Sequence, residues 1–203
     1  MKYICLLTLF LLIHIDVTAQ EEKTQNPDEN LPYRVIPEYP EVYTPETVAA
    51  RMIDGLGFRY YWATEGLTEK DLAYKPSAEA RTTDETIDHI LGLSLTIVNA
   101  SMNQPNTFPR QEESLTFEQK RARTLEHLAH ASQVLKDQPA NTLDHNKVIF
   151  TNENGSSEFP YWNMINGPIA DAIYHTGQVV SFRRASGNPI NPNIRVFLGT
   201  VRE

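Results

Sequence analysis

Between Thr82 and Ala100 runs a helix-length stretch that is apolar round most of its circumference: Ile87, Ile90, Leu91, Leu93, Leu95, Ile97 and Val98. A helix lying on a surface keeps one polar face, so this one needs neighbours on several sides. Thr82, with Glu85 three residues later, marks its start as a capping box. His89 shares its side with Thr86, Leu93 and Thr96, which places an imidazole in a partly buried position.

Three further helices supply the neighbours. Thr44-Pro45-Glu46 opens the first, with a capping threonine, a proline at the first helical position and an acid at the positive end of the dipole. Val48, Met52, Leu56, Tyr60 and Ala63 form its stripe, and it stops near Gly66. Gly55 and Gly57 within it cost about 1 kcal/mol each against alanine, which implies close approach by a neighbouring helix. Thr116 and Gln119 begin another helix that ends near Lys136, with Phe117, Leu125, Leu128, Ser132 and Leu135 inside. His127 and His130 project outward from it, whereas Arg121 projects onto the inner stripe. The last helix, Ala170 to Ser186, is ended by Gly187 and Pro189; Pro168 occupies its first turn, or kinks it if the helix starts earlier.

The expected fold is therefore all-α, a four-helix bundle spanning residues 44–190. Asn103 to Glu113 is a connection. Lys147 to Thr151 is β-prone and a turn follows at Asn152–Ser157, so a short hairpin or crossover separates the last two long helices. Residues 20–43, with Pro27, Pro32, Pro37 and Pro40, form an extended leader. Val196-Phe197-Leu198 in the tail, residues 191–203, is expected to pack back on the bundle.

Residues 1–19 have a different character. Lys2, a mostly apolar run from Ile4 to Ile15, and Val17-Thr18-Ala19 fit a secretory signal peptide cleaved after Ala19. The run is too short for a comfortable span, which takes about 20 residues. The expected location is outside the cytoplasm, periplasmic or secreted, with no stable membrane span once the signal is cleaved. The only cysteine, Cys5, lies in this segment, so the mature chain has neither a disulfide nor a cysteine nucleophile. A formal charge of -8 without basic runs argues against nucleic acid. The expected partners are a small-molecule substrate and, at most, a second copy of the chain.

Chemistry concentrates on one helix face. Asp171 and His175 lie one turn apart, with Gln178 and Phe182 continuing the stripe. Two donors one turn apart need a third from another element, and His89 is the candidate. Two imidazoles and one carboxylate suit a divalent transition metal, and three protein ligands leave a position open for water or substrate. Gln178 is placed to hydrogen-bond His175 and orient it. Arg183 and Arg184 point away from this stripe, toward capping or ion pairing. Arg121 is a weaker candidate for an anionic substrate group, and Tyr60, Tyr61, Trp62 and Trp162 for the walls of a pocket. The competing reading is a non-catalytic bundle that binds a ligand or partner, in which Asp171 simply pairs with His175.

TIDHILGL around His89, the pair Asp171 and His175, and the ending YHTGQVVSFRRASGNP together resemble the DinB-like (DinB/YfiT) superfamily. The likeness covers Thr44 to Pro189, and its most specific part is His175-Thr-Gly-Gln178. It implies an up-up-down-down bundle with three metal-ligating histidines, one in the second long helix and two one turn apart in the fourth. His89 and His175 match that pattern, while Asp171 stands where the family usually has a histidine. A carboxylate there shifts the expected metal from zinc toward nickel, iron or manganese. The superfamily includes thiol-dependent transferases and isomerases, so a metal-dependent hydrolase or thiol-transferase is the implied class, without a substrate.

Overall fold

The structure is a computed structural model that describes residues 30–110 and 113–202. The signal-peptide reading and the first part of the leader lie outside the described residues. The elements are α1 (Pro45–Thr64), α2 (Glu69–Leu72), α3 (Thr83–Ser101), β1 (Pro105–Thr107), α4 (Phe117–Asp137), β2 (Lys147–Asn152), β3 (Gly155–Pro160), α5 (Trp162–Met164), α6 (Ala170–Ser186), β4 (Ile194–Arg195) and β5 (Thr200–Val201). No described helix is long and apolar enough to cross a membrane.

The four long helices α1, α3, α4 and α6 close a ring in the order α1–α4–α3–α6. Each starts or stops where its sequence says. Thr82 caps α3, with Glu85 returning a bond to the Thr82 amide. Thr116 and Gln119 do the same for α4. At α1 the reciprocal partner of Thr44 is Thr47. Gly187 closes α6 in the left-handed region, at φ 101°, while the Asn188 amide donates to the Arg183 carbonyl. Ahead of α6 the chain turns through α5 and a π-helical turn at Ile165–Ile169, with Gly167 off helical geometry and Pro168 inside. Pro168 therefore kinks a helical path that starts earlier.

The side-chain bonds at the helix ends fix direction. Lys120, at the start of α4, reaches Asp84 and Asp88 at the start of α3, and Gln138, just past α4, donates to the Ser101 carbonyl at the end of α3. So α3 and α4 run parallel. Arg183, near the end of α6, donates to the Trp62 and Ala63 carbonyls at the end of α1, so these two are parallel as well. Arg121 near the start of α4 meets Thr64 at the end of α1, which makes that pair antiparallel. The sense is thus up-down-down-up, and the up-up-down-down order is corrected. The physical reason is the 102–116 connection: α3 is about 28 Å long at 1.5 Å per residue, and an extended chain of that length returns along it easily.

That same connection overturns the pure all-α expectation. It carries β1, which pairs in parallel with β2; β2 and β3 form the expected hairpin. The chain is mainly helical with a small three-stranded sheet.

Two other corrections concern the ends of the chain. What Gly57 makes room for is Tyr33 of the leader, whose ring lies 2.4 Å from where a Cβ would sit. Tyr33 is buried and donates from its hydroxyl to Asp54 Oδ1, while Lys136 donates to Asp54 Oδ2. In the tail, Val196, Phe197 and Leu198 are exposed. Ile190, Ile194 and Val201 pack on the core instead, and the Ile36 amide donates to the Gly199 carbonyl. Alanine at Gly57 is therefore expected to change sign with its surroundings. Overpacking against Tyr33, about 1–3 kcal/mol, outweighs the helix-propensity gain of about 1 kcal/mol. In a Tyr33→Ala background only the gain remains. Chemical denaturation of the two pairs checks it; the same sign in both would exclude the contact.

Asp71 ties α2 to the end of α6. It accepts from the Ser186 hydroxyl, the Asn188 amide and both the amide and hydroxyl of Thr68. Burial alone would raise its pKa, but the Ser186, Asn188 and Thr68 bonds together hold it well below the usual carboxylate range. A carboxyl depressed in the folded state adds stability that is complete above its unfolded pKa and is lost as pH falls from there toward the folded value. Wild-type stability should decline below about pH 4 more steeply than that of Asp71→Asn, as acid titration of the urea midpoint would report. Parallel acid limbs would show that Asp71 contributes nothing.

Candidate metal centre

His89 comes from the second turn of α3, and Asp171 and His175 from the first two turns of α6. Because α3 and α6 are neighbours in the ring, the three side chains meet. His89 Nε2 lies 3.1 Å from Asp171 Oδ2, and His175 Nε2 lies 3.3 Å from Asp171 Oδ1. One ligand atom from each residue falls within 4.8 Å of the others. The imidazole rings stand edge to face, 4.6 Å between centroids.

Proton placement tests whether this set suits a metal. His175 Nδ1 lies 2.7 Å from the Gln178 amide oxygen, and Gln178 Nε2 donates to the Tyr174 hydroxyl. An amide oxygen only accepts, so His175 carries its proton on Nδ1 and turns the Nε2 lone pair toward an Asp171 oxygen. Two lone pairs facing each other at 3.3 Å repel. A cation between them makes the contact attractive, either a second proton on the imidazole or a metal ion. Ligand atoms about 2.0–2.2 Å from a shared ion stand about 2.8–3.6 Å apart at tetrahedral or octahedral angles. The two separations, one to each Asp171 oxygen, fall in that interval, so the three residues could hold a divalent cation.

The side chains of His89 and Asp171 are 32% and 42% exposed, and that of His175 12%. The centre therefore sits on an accessible flank of the bundle. A cavity of about 500 Å³ lined by Tyr43, Val48, Met52 and Trp162 does not include any of the three.

No family model matches the sequence, and no curated protein matches it. Among solved structures, the crystal structure of the DinB-like protein YjoA from Bacillus subtilis is similar, with a TM-score of 0.51 at 15% identity. The likeness covers 70% of this chain and 96% of YjoA. The fold is DinB-like. On the DinB-like scaffold the ring of four helices places a group that could hold a metal ion where α3 faces α6.

Other sequence candidates resolve differently. Tyr60, Tyr61 and Trp62 are core residues, whereas Trp162 is exposed and lines the 500 Å³ cavity, as a pocket wall would. Arg121 is buried, donating to Thr64 Oγ1 and the Tyr61 carbonyl with its guanidinium over the Tyr61 ring. It serves packing and the end of α1, not a substrate anion. Arg183 caps α1, as a capping role predicts, and Arg184 is exposed. His130 is exposed as expected, but His127 is not a solvated surface residue. Its Nδ1 lies 3.0 Å from Ser94 Oγ. Burial, then the charges of Arg123, His130 and Arg110, push its pKa down to about 4. A projection along α4 alone misses this because the partner, Ser94, belongs to α3.

Proposed function

We propose that the chain is an exported, metal-dependent enzyme of the DinB-like class, with His89, Asp171 and His175 as the ligands and hydrolase or thiol-transferase chemistry. The supporting observation is the convergence of the three donors, with the His175 Nε2 lone pair held toward the centre by Gln178. When bound, a divalent cation supplies Lewis acidity at the open flank. Asp171 offers one oxygen to each imidazole side, so its negative charge partly offsets that of the cation and biases the site toward nickel, iron or manganese over zinc. Gln178 fixes the tautomer and rotation of His175, a role whose loss typically weakens metal binding 10–100-fold. Cleavage after Ala19 and delivery outside the cytoplasm, a small-molecule substrate and self-association into a homodimer belong to the same proposal.

Calorimetric titration of the metal-stripped protein with nickel, zinc, iron(II) and manganese tests it. One ion per chain is expected, with Gln178→Ala binding about 10–100-fold more weakly. A chain that binds none of the four would leave a proton-held His–Asp–His cluster and the non-catalytic reading.

A further inference from the structure

A second site lies on the adjoining face of α3. Residues 107–110 and 113–115, with α3 and α4, border a cavity of about 750 Å³, lined by Leu91, Leu95, Leu115, Arg110, Arg123 and His127 among others. Its volume is in the range of small-molecule sites, and its walls combine apolar surface with a few convergent polar groups.

The lining carries two arginines and two carboxylates, but they are unevenly paired: Glu113 is bound to Arg123 at 2.6 Å, and Asp88 shares Lys120, 3.0 Å away, with Asp84. Arg110 has no carboxylate partner among the described residues. It donates to the Gly92 carbonyl and to Thr96 Oγ1, two neutral acceptors. Two of its five N–H groups are used there, and Arg123 spends one on Glu113, so donors remain on both. Gly92 is what lets Arg110 in, since a Cβ there would lie 2.7 Å from its Nη1. Burial, then the positive charges of Arg123, His130 and Arg110, lower the His127 pKa. Likewise burial depresses Arg110 with no acid to counter it. Ser94 donates its hydroxyl hydrogen to the Leu91 carbonyl, so its oxygen accepts from His127 Nδ1–H. That leaves His127 Nε2 as an open nitrogen at the cavity wall.

We propose that this cavity binds a small organic carboxylate, its charge against Arg110 and Arg123 and its apolar body on Leu91, Leu95 and Leu115. A half-buried guanidinium paired only with neutral acceptors is the feature that an anionic ligand satisfies, through charge-assisted bonds that a fork of donors favours. The leucines exclude a bare inorganic anion as the best fit. The site stands apart from the His89–Asp171–His175 centre and does not depend on a metal there.

The test uses the metal-stripped full chain and two isosteric probes, benzoate and benzamide, with inorganic phosphate as the third. Proton NMR follows the His127 ring while calorimetry gives affinity. Benzoate should bind saturably, at least about tenfold more tightly than benzamide or phosphate, a difference of about 1.4 kcal/mol. It should also raise the His127 pKa from about 4, because an anion favours the imidazolium. Arg110→Gln should weaken benzoate about tenfold or more, and His175→Ala should leave it unchanged. If Arg110→Gln disturbs the fold, seen by circular dichroism, the exposed Arg123→Gln carries the same expectation of weaker binding. Equal binding of benzamide would reduce the site to an apolar hole, and equal binding of phosphate would remove the organic class. Absence of saturable benzoate binding, its loss in His175→Ala, or indifference to the arginine variants would each overturn the proposal.

Discussion

His89→Ala, Asp171→Ala and His175→Ala should each lose stoichiometric metal while the bundle stays folded. The three side chains are only partly buried and sit on the helix flank, so truncation opens no large core cavity. Removing one donor of three leaves two, too few to hold a first-row ion against water and buffer. The variants should also separate. Asp171→Ala removes the carboxylate that turns one oxygen to each imidazole, and the His89–His175 pair then offers nitrogen alone. Asp171→His would restore three ligands and move preference toward zinc. Metal analysis after purification, with far-UV circular dichroism as the folding control, reads both effects. Full metal content in any alanine variant would place the ion elsewhere; loss of fold in all three would make the cluster structural.

The largest stability effect is expected at Arg183. The last carbonyls of a helix lack intrahelical donors, and those of α1 end inside the protein, beside α6. Arg183 donates to the Trp62 and Ala63 carbonyls at 3.0 and 3.1 Å and to the Asn188 carbonyl at 2.8 Å. Its charge also lies at the negative end of the α1 dipole. Arg183→Met keeps the apolar stem and strips the donors. Two buried carbonyls left unmet, at about 1–3 kcal/mol each, give an expected loss of about 3 kcal/mol. At about 2–4 °C per kcal/mol for a chain of this size, Tm should fall by about 6–12 °C. The neighbouring Arg184→Met, on an exposed position, should stay within about 0.5 kcal/mol. Thermal melts of the pair decide the matter; equal melts would mean that Arg183 does not cap α1.

Local signals carried most of the helical frame. Thr82 with Glu85 and Thr116 with Gln119 act within four residues, so each cap could be read without knowing what lies across the fold. The convergence of the three candidate donors was legible for a related reason. Asp171 and His175 are fixed by helical spacing, and an unusually apolar α3 had to lie inside the ring, carrying His89 with it. What escaped depends on distant partners. β1 exists because Pro105–Thr107 finds Ile149–Thr151 more than forty residues later, and its three residues hold no strand pattern of their own. Gly57 pairs with a leader tyrosine and His127 with Ser94 of α3, so neither follows from the stripe of its own helix. Helix direction hung on the length of the 102–116 segment, which permits either sense. The bonds from Lys120 and Arg183 settle it.

Crystals of the chain grown with the preferred metal, with anomalous scattering recorded on both sides of its absorption edge, test the central claim most directly. One anomalous peak is expected at the point shared by His89 Nε2, Asp171 and His175 Nε2, about 2.0–2.2 Å from each. A peak at any other position, or those three side chains joined only by their own hydrogen bonds in metal-soaked crystals, would contradict it.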